Sequence, residues 1–285
     1  MTSIVVGIDG SDHARAALGW AVELARAVPD PVVHLVNAAW VTAQAFEWDA
    51  DAYRRYMDQA GARGGSLLEE AAAPLSGAGV RVEPHVLAEP PAAALLQVAE
   101  ETGAELIATG RRGLGRAASA LLGSVSADVV HRAHVPVLVA RDGGPRTLRR
   151  VLVGVDGSQH SARALAFAAR WAPQAQITAL HVLHVAPEAR TLFEHEGLSL
   201  DVAMEQTAEE TVRRTAEAAR LDPARVMARA ASGSAADELF LAYRDGGYDL
   251  AVVGSRGLGT LGELFLGSVS ERLLRVAAGP VVVVK

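Results

Sequence analysis

The sequence predicts an α/β protein made of two tandem doubly wound domains, each with a sheet of five parallel strands. Three observations lead there. Residues 4–18, IVVGIDGSDHARAAL, return at residues 151–165 as VLVGVDGSQHSARAL. Residues 110–126, GRRGLGRAASALLGSVS, return at residues 254–270 as GSRGLGTLGELFLGSVS. Short apolar runs also alternate with longer helical patterns in each half, which is the arrangement that right-handed crossovers between parallel strands require. The first pair of blocks is offset by 147 positions (156 − 9) and the second by 144 (254 − 110). Order survives with a drift of three residues, as duplication followed by loop shortening leaves it. A length of 285 residues accommodates two such modules.

The elements follow in order. Apolar runs occupy residues 3–9, 32–38, 80–87, 104–110 and 135–140 in the first half, and 151–156, 177–185, 224–230, 248–254 and 280–285 in the second. Several are nearly continuous in Val, Ile and Leu, which suits strands buried on both faces of a parallel sheet. Helical patterns fall at residues 11–28, with a serine for an N-cap, at 51–75, at 91–102, opened by proline, and at 126–133. The stretch RDGGPRTLRR, residues 141–150, has the composition of a linker and sets domain boundaries at 1–143 and 149–285.

Composition narrows the function classes. Half of the residues are hydrophobic and 21% are charged, enough burial to order a core. The longest purely apolar runs are of strand length, so no membrane span is expected. Residues 1–10 read straight into a strand without an export signal, and the cytoplasm is the expected location. With no cysteine, thiol nucleophiles, disulfides and cysteine metal sites are excluded. The sole lysine, Lys285, removes the phosphate-loop, Schiff-base and kinase lysines. A net charge of −6 argues against a nucleic-acid partner.

The repeated glycine loop follows the fourth strand of each half, at the carboxyl edge where open α/β sheets place ligands. Gly110, Gly113 and Gly115, like Gly254, Gly257 and Gly259, let main-chain N–H groups approach an anion. Gly123-Ser124 and Gly267-Ser268 precede a helix whose first N–H groups suit a phosphate. The plainer alternative is a set of tight turns with serine N-caps, and recurrence of the whole pattern weighs against it. A GxGxxG match at residues 257–262 suggests a dinucleotide fold, but it follows the fourth strand and no acid ends the next one. Asp9 and Asp156 each end a first strand in Asp-Gly-Ser, by itself a turn signal, and pairing with the loop makes them site candidates. Arg112 and Arg256 hold equivalent loop positions, where an arginine meets either phosphate oxygens or solvent. No Ser/His/Asp triad recurs and no metal-ligand spacing stands out. His131 and His134 fall at a helix end, His181 and His184 on opposite faces of a strand, and the four tryptophans read as core or interface. No catalytic residue and no resident metal are therefore expected.

The chain resembles tandem-domain universal stress proteins, whose ATP-binding branch carries a GxxGx9G[ST] motif. Here that spacing is Gly110, Gly113 and Gly123-Ser124, and again Gly254, Gly257 and Gly267-Ser268. The resemblance implies a fold like that of the adenine nucleotide alpha hydrolases, with ATP as ligand and Mg²⁺ arriving through the phosphates. It implies that Gly7 with Asp9, and Gly154 with Asp156, face the adenine and ribose end, and that Val125 and Val269 accompany the loop serines. Ala38 and Val185, each 29 positions beyond its aspartate (38 − 9, 185 − 156), would line the adenine pocket. In the family that place is often a valine after a histidine, as in His184-Val185, whereas Asn37-Ala38 departs from it. The implied function is a nucleotide-dependent stress-response or signalling regulator, with slow ATP hydrolysis or nucleotidyl or phosphoryl transfer as the alternative. A homodimer is also implied, the last strands at residues 137–139 and 281–284 being candidate edges for pairing within and between chains, with a further, unknown protein partner.

Overall fold

Strands form where Val, Ile and Leu run together, because a parallel strand covered by helices on both faces has no polar side. The structure, a computed structural model, describes residues 1–41, 49–113, 122–141, 147–186, 188, 191, 193, 195–196, 198–257 and 266–285. The chain divides into two units, Met1–Pro145 and Arg146–Lys285.

Unit 1 runs β1 (Thr2–Gly7), α1 (Asp12–Ala25), β2 (Pro31–Ala38), α2 (Ala50–Ala72), β3 (Arg81–Leu87), α3 (Pro91–Glu101), β4 (Leu106–Gly110), α4 (Ser124–Arg132) and β5 (Val137–Ala140). All its strand pairs are parallel, in the order β3-β2-β1-β4-β5. Unit 2 runs β6 (Arg150–Gly154), α5 (Gln159–Trp171), β7 (Gln176–Leu183), α6 (Leu200–Ala218), β8 (Val226–Ser232), α7 (Ala235–Asp245), β9 (Leu250–Gly254), α8 (Ser268–Val276) and β10 (Val281–Val284). Its parallel order is β8-β7-β6-β9-β10. Central strands are buried throughout, as Ile4, Val5 and Val6 on β1 show, while the edge strand β3 carries exposed residues such as Arg81 and Val86. In each unit the strand order reverses beside the first strand, between β1 and β4 and between β6 and β9. This switch point opens a crevice at the carboxyl ends of those strands.

Ser11 and Ser158 cap α1 and α5, accepting from Ala14 N at 3.2 Å and Ser161 N at 3.1 Å. Three sequence expectations shift. The fourth helix starts at Ser124, two residues before the expected 126, because Gly123 supplies its cap. The second ends at Ala72 and tightens into a 3-10 turn over Ala73–Leu75. Strand β7 stops at Leu183, short of residue 185.

The register locates the drift between repeats. Gly7 pairs with Val36 and Gly154 with Leu180, separations of 29 (36 − 7) and 26 (180 − 154). All three missing residues therefore lie between the end of β6 and the middle of β7, and beyond that point β strands correspond at an offset of 144. Among the described residues no helix is long and apolar enough to cross a membrane.

Candidate functional site

The crevice is shaped by an aspartate turn and a glycine loop. Ser11 N donates to Asp9 Oδ1 at 2.9 Å, and Ser158 N to Asp156 Oδ1 at 3.0 Å, which fixes one oxygen of each carboxylate. The other oxygen reaches over the loop. A Cβ on Gly257 would lie 2.5 Å from Asp156 Oδ2, and one on Gly113 would likewise strike Asp9 Oδ2. An added methyl at either position would have to displace that carboxylate oxygen.

Gly110 and Gly254 answer to a different neighbour. A Cβ at Gly110 would sit 2.7 Å from His13 C, and one at Gly254 would sit 2.7 Å from His160 Cβ and 2.9 Å from His160 C. These two glycines let the fourth strand of each unit run against the start of α1 or α5.

Each helix behind the loop starts on a glycine. Gly123 and Gly267 are the N-caps of α4 and α8 and, lacking a side chain, make no side-chain cap hydrogen bond. Ser124 and Ser268 are the exposed first helical residues, so the serine N-caps of the plainer reading are absent. The helix-start donors therefore receive no acceptor from their N-cap residue, which suits an anion. The buried serines two residues on tie each helix start back to the end of the fourth strand. Ser126 Oγ donates to Arg111 O at 3.0 Å, and Ser270 Oγ to Gly254 O at 2.6 Å. Sequence reading missed both, because burial inside an amphipathic first turn carries no local signature.

In unit 2 the crevice is a cavity of 520 Å³. Gly154, Asp156, Gly254, Arg256, Gly257, Gly267, Ser268 and Val269 all line it. Val185 does not: it lies beyond the end of β7, and Val182 lines the cavity in its place. The sequence HVLHV holds two His-Val pairs, and the shortened α5–β7 connection selects the first. His181 Nδ1 meets Val155 O at 2.8 Å, matching Asn37 Nδ2, which donates to Ile8 O at 2.6 Å in unit 1. The unit 1 cavity is 140 Å³ and gathers Gly7, Asp9, Ala38, Gly110, Arg112, Gly113 and Val125. Gly123 and Ser124 are not part of its lining. Gly115 and Gly259 lie outside the described residues.

The unit 2 rim is electropositive on one side. Burial first, then the Arg256 guanidinium and Arg163, holds His160 below its usual pKa. Burial and Arg256 do the same to Lys285, whose backbone oxygen accepts from Arg163 Nη1 at 3.1 Å. Leu180, Val182 and Leu239 supply an apolar floor opposite. An apolar floor, a carboxylate and an uncapped helix start beside an arginine together fit a ligand with a flat hydrophobic part, hydroxyl groups and an anionic tail.

Comparison with known proteins agrees with the duplication. The model of the universal stress protein family matches residues 1–141 and again 147–285. A universal stress protein of Mycobacterium tuberculosis is 31% identical over 310 aligned residues, covering 99% of this chain and 96% of that protein. One of Mycobacterium bovis is 30% identical over 296, with the same coverage. The crystal structure of a universal stress protein from Archaeoglobus fulgidus covers 99% of this chain and 98% of its own, with a TM-score of 0.71 at 22% identity, a likeness of fold.

Proposed function

The chain belongs to the universal stress protein family, and from that premise we propose that it is an ATP-binding regulator whose nucleotide occupancy is read by a partner in a stress response. The observation that carries the reading is the unit 2 cavity. Its 520 Å³ bring Asp156, the Gly257 loop and the glycine-capped start of α8 to one place. Asp156 would take the hydroxyl-bearing end of the nucleotide, Leu180, Val182 and Leu239 the base, and Arg256 with the N–H groups at Ser268 the phosphates. Asp9, Arg112 and the α4 start are the unit 1 counterparts around 140 Å³. Mg²⁺ would arrive with the phosphates. Homodimerisation is part of the same proposal, and sedimentation with and without ATP tests it.

The deciding experiment denatures the purified chain and identifies and counts released nucleotide by chromatography, before and after incubation with ATP and Mg²⁺. ATP near two per chain supports the reading for both units, and one per chain restricts it to one. ADP accumulating over multiple turnovers would shift it to hydrolysis, and no nucleotide under any condition would end it.

Binding should also be linked to pH through His160. Its pKa in the free protein lies below 6.5, with Asp156, Arg163, Arg256 and Lys285 as charged neighbours. A polyanion beside Arg256 offsets the positive potential and raises that pKa. The complex then binds more protons than the free protein, so ATP affinity should strengthen as pH falls through the titration range of His160. Calorimetry in buffers of different ionisation enthalpy should register a proton uptake in the parent chain that is missing in His160→Gln; equal proton exchange in the two would detach His160 from binding.

A further inference from the structure

One cluster in unit 1 is used by none of this. His34 on β2 and Glu83 on β3 face each other in register, and His85, opposite Val36, lies diagonally two residues further on. Strand alternation places all three side chains on one face of the sheet. His34 Nδ1 is 3.0 Å from His85 Nε2 and 3.4 Å from Glu83 Oε2, and the three ligand atoms lie within 4.8 Å of one another. One imidazole nitrogen thus meets both another imidazole nitrogen and a carboxylate oxygen.

We propose that His34, Glu83 and His85 form a binding site for a divalent transition cation of the Zn²⁺ type. Four-coordinate zinc takes nitrogen and oxygen ligands at about 2.0–2.2 Å, which sets neighbouring ligand atoms about 3.3–3.5 Å apart. Two of the distances here fall within a few tenths of an ångström of that spacing. Half-exposed Glu83 closes the third by side-chain rotation. Two imidazoles and one carboxylate leave a fourth position for water, and they select zinc-like ions over Mg²⁺ or Ca²⁺, which prefer oxygen alone. The outer shell is in place: Arg81 Nη2 holds Glu83 Oε1 at 3.1 Å, leaving Oε2 towards His34.

His34 itself is buried. Position adds a consequence. His34 lies two residues before Val36 on the same face of β2, and Val36 lines the unit 1 cavity. The site is private to unit 1, since the corresponding residues of the second sheet are Thr178, Met227 and Arg229.

The test titrates metal-free full-length protein, without nucleotide, with Zn²⁺ against a chromogenic chelator, and with Co²⁺ followed by its ligand-field absorption. The expected result is one high-affinity equivalent per chain and a four-coordinate Co²⁺ spectrum. His85→Ala, on the half-exposed edge strand, should weaken that equivalent on the order of 100-fold, and Glu83→Gln by about tenfold or more. Because His34 is buried, the two edge-strand variants carry the test, with circular dichroism to establish folding. Failure of the parent chain to bind, or equal affinity and an unchanged Co²⁺ spectrum in folded His85→Ala, would overturn the site.

Discussion

If each unit holds one ATP, as proposed, Gly257→Ala combined with Ser268→Ala is expected to remove the unit 2 molecule while leaving the fold intact. The alanine methyl at position 257 would lie 2.5 Å from Asp156 Oδ2, so the carboxylate must move from the position proposed to hold the nucleotide. Loss of the exposed Ser268 hydroxyl takes a donor from the uncapped start of α8. Hydrogen bonds to charged groups are worth about 1.5–3 kcal/mol each. Losing one at each end of the ligand would weaken binding at this unit on the order of 100-fold or more. Adding Gly113→Ala and Ser124→Ala should then remove the remaining equivalent. Nucleotide counted after denaturation gives the answer, and a well-folded quadruple variant that still carries the wild-type amount would detach the glycine loop from function.

Gly254→Ala should instead destabilise unit 2 by about 1–3 kcal/mol, the usual cost of overpacking a closed interior. Its methyl would lie 2.7 Å from His160 Cβ and 2.9 Å from His160 C, closer than real Cβ contacts allow. Either β9 or the start of α5 must move, and the Ser270 Oγ bond to Gly254 O at 2.6 Å is disturbed with it. Gly61→Ala provides the internal contrast. Gly61 sits inside α2 with nothing within 4 Å of an added Cβ, so alanine there should stabilise by about 0.5–1 kcal/mol through helix propensity. Thermal unfolding should thus move in opposite directions for two chemically identical substitutions. A higher Tm for Gly254→Ala would contradict the packing described.

The strands were legible because runs such as Val281 to Val284 have no polar side to expose, and the duplication let each half check the other. Ligand positions counted along the chain were less secure. Measuring 29 residues from Asp156 reaches Val185, whereas the sheet register brings Val182 to the cavity, because the three missing residues sit inside the interval being counted. Gly110 and Gly254 read as ligand-facing glycines, yet their closest constraint is a helix nearly a hundred residues away in sequence, visible only once β4 and β9 lie against α1 and α5. His34, Glu83 and His85 escaped for a related reason. Metal-ligand spacing is sought within one helix or loop, and these residues meet only across two strands paired over some fifty positions.

The inequality of the two cavities, 520 Å³ against 140 Å³, bears on how the two proposed nucleotide sites would fill. Two identical independent sites fill over a single span of ligand, and each copy adds only amplitude. If both crevices bind the proposed nucleotide and their unequal room gives unequal dissociation constants, their fillings are staggered and the combined titration has a Hill slope below one. Duplication followed by divergence of the crevices would thereby trade steepness for range, giving one chain a graded response where a symmetric pair would saturate at once.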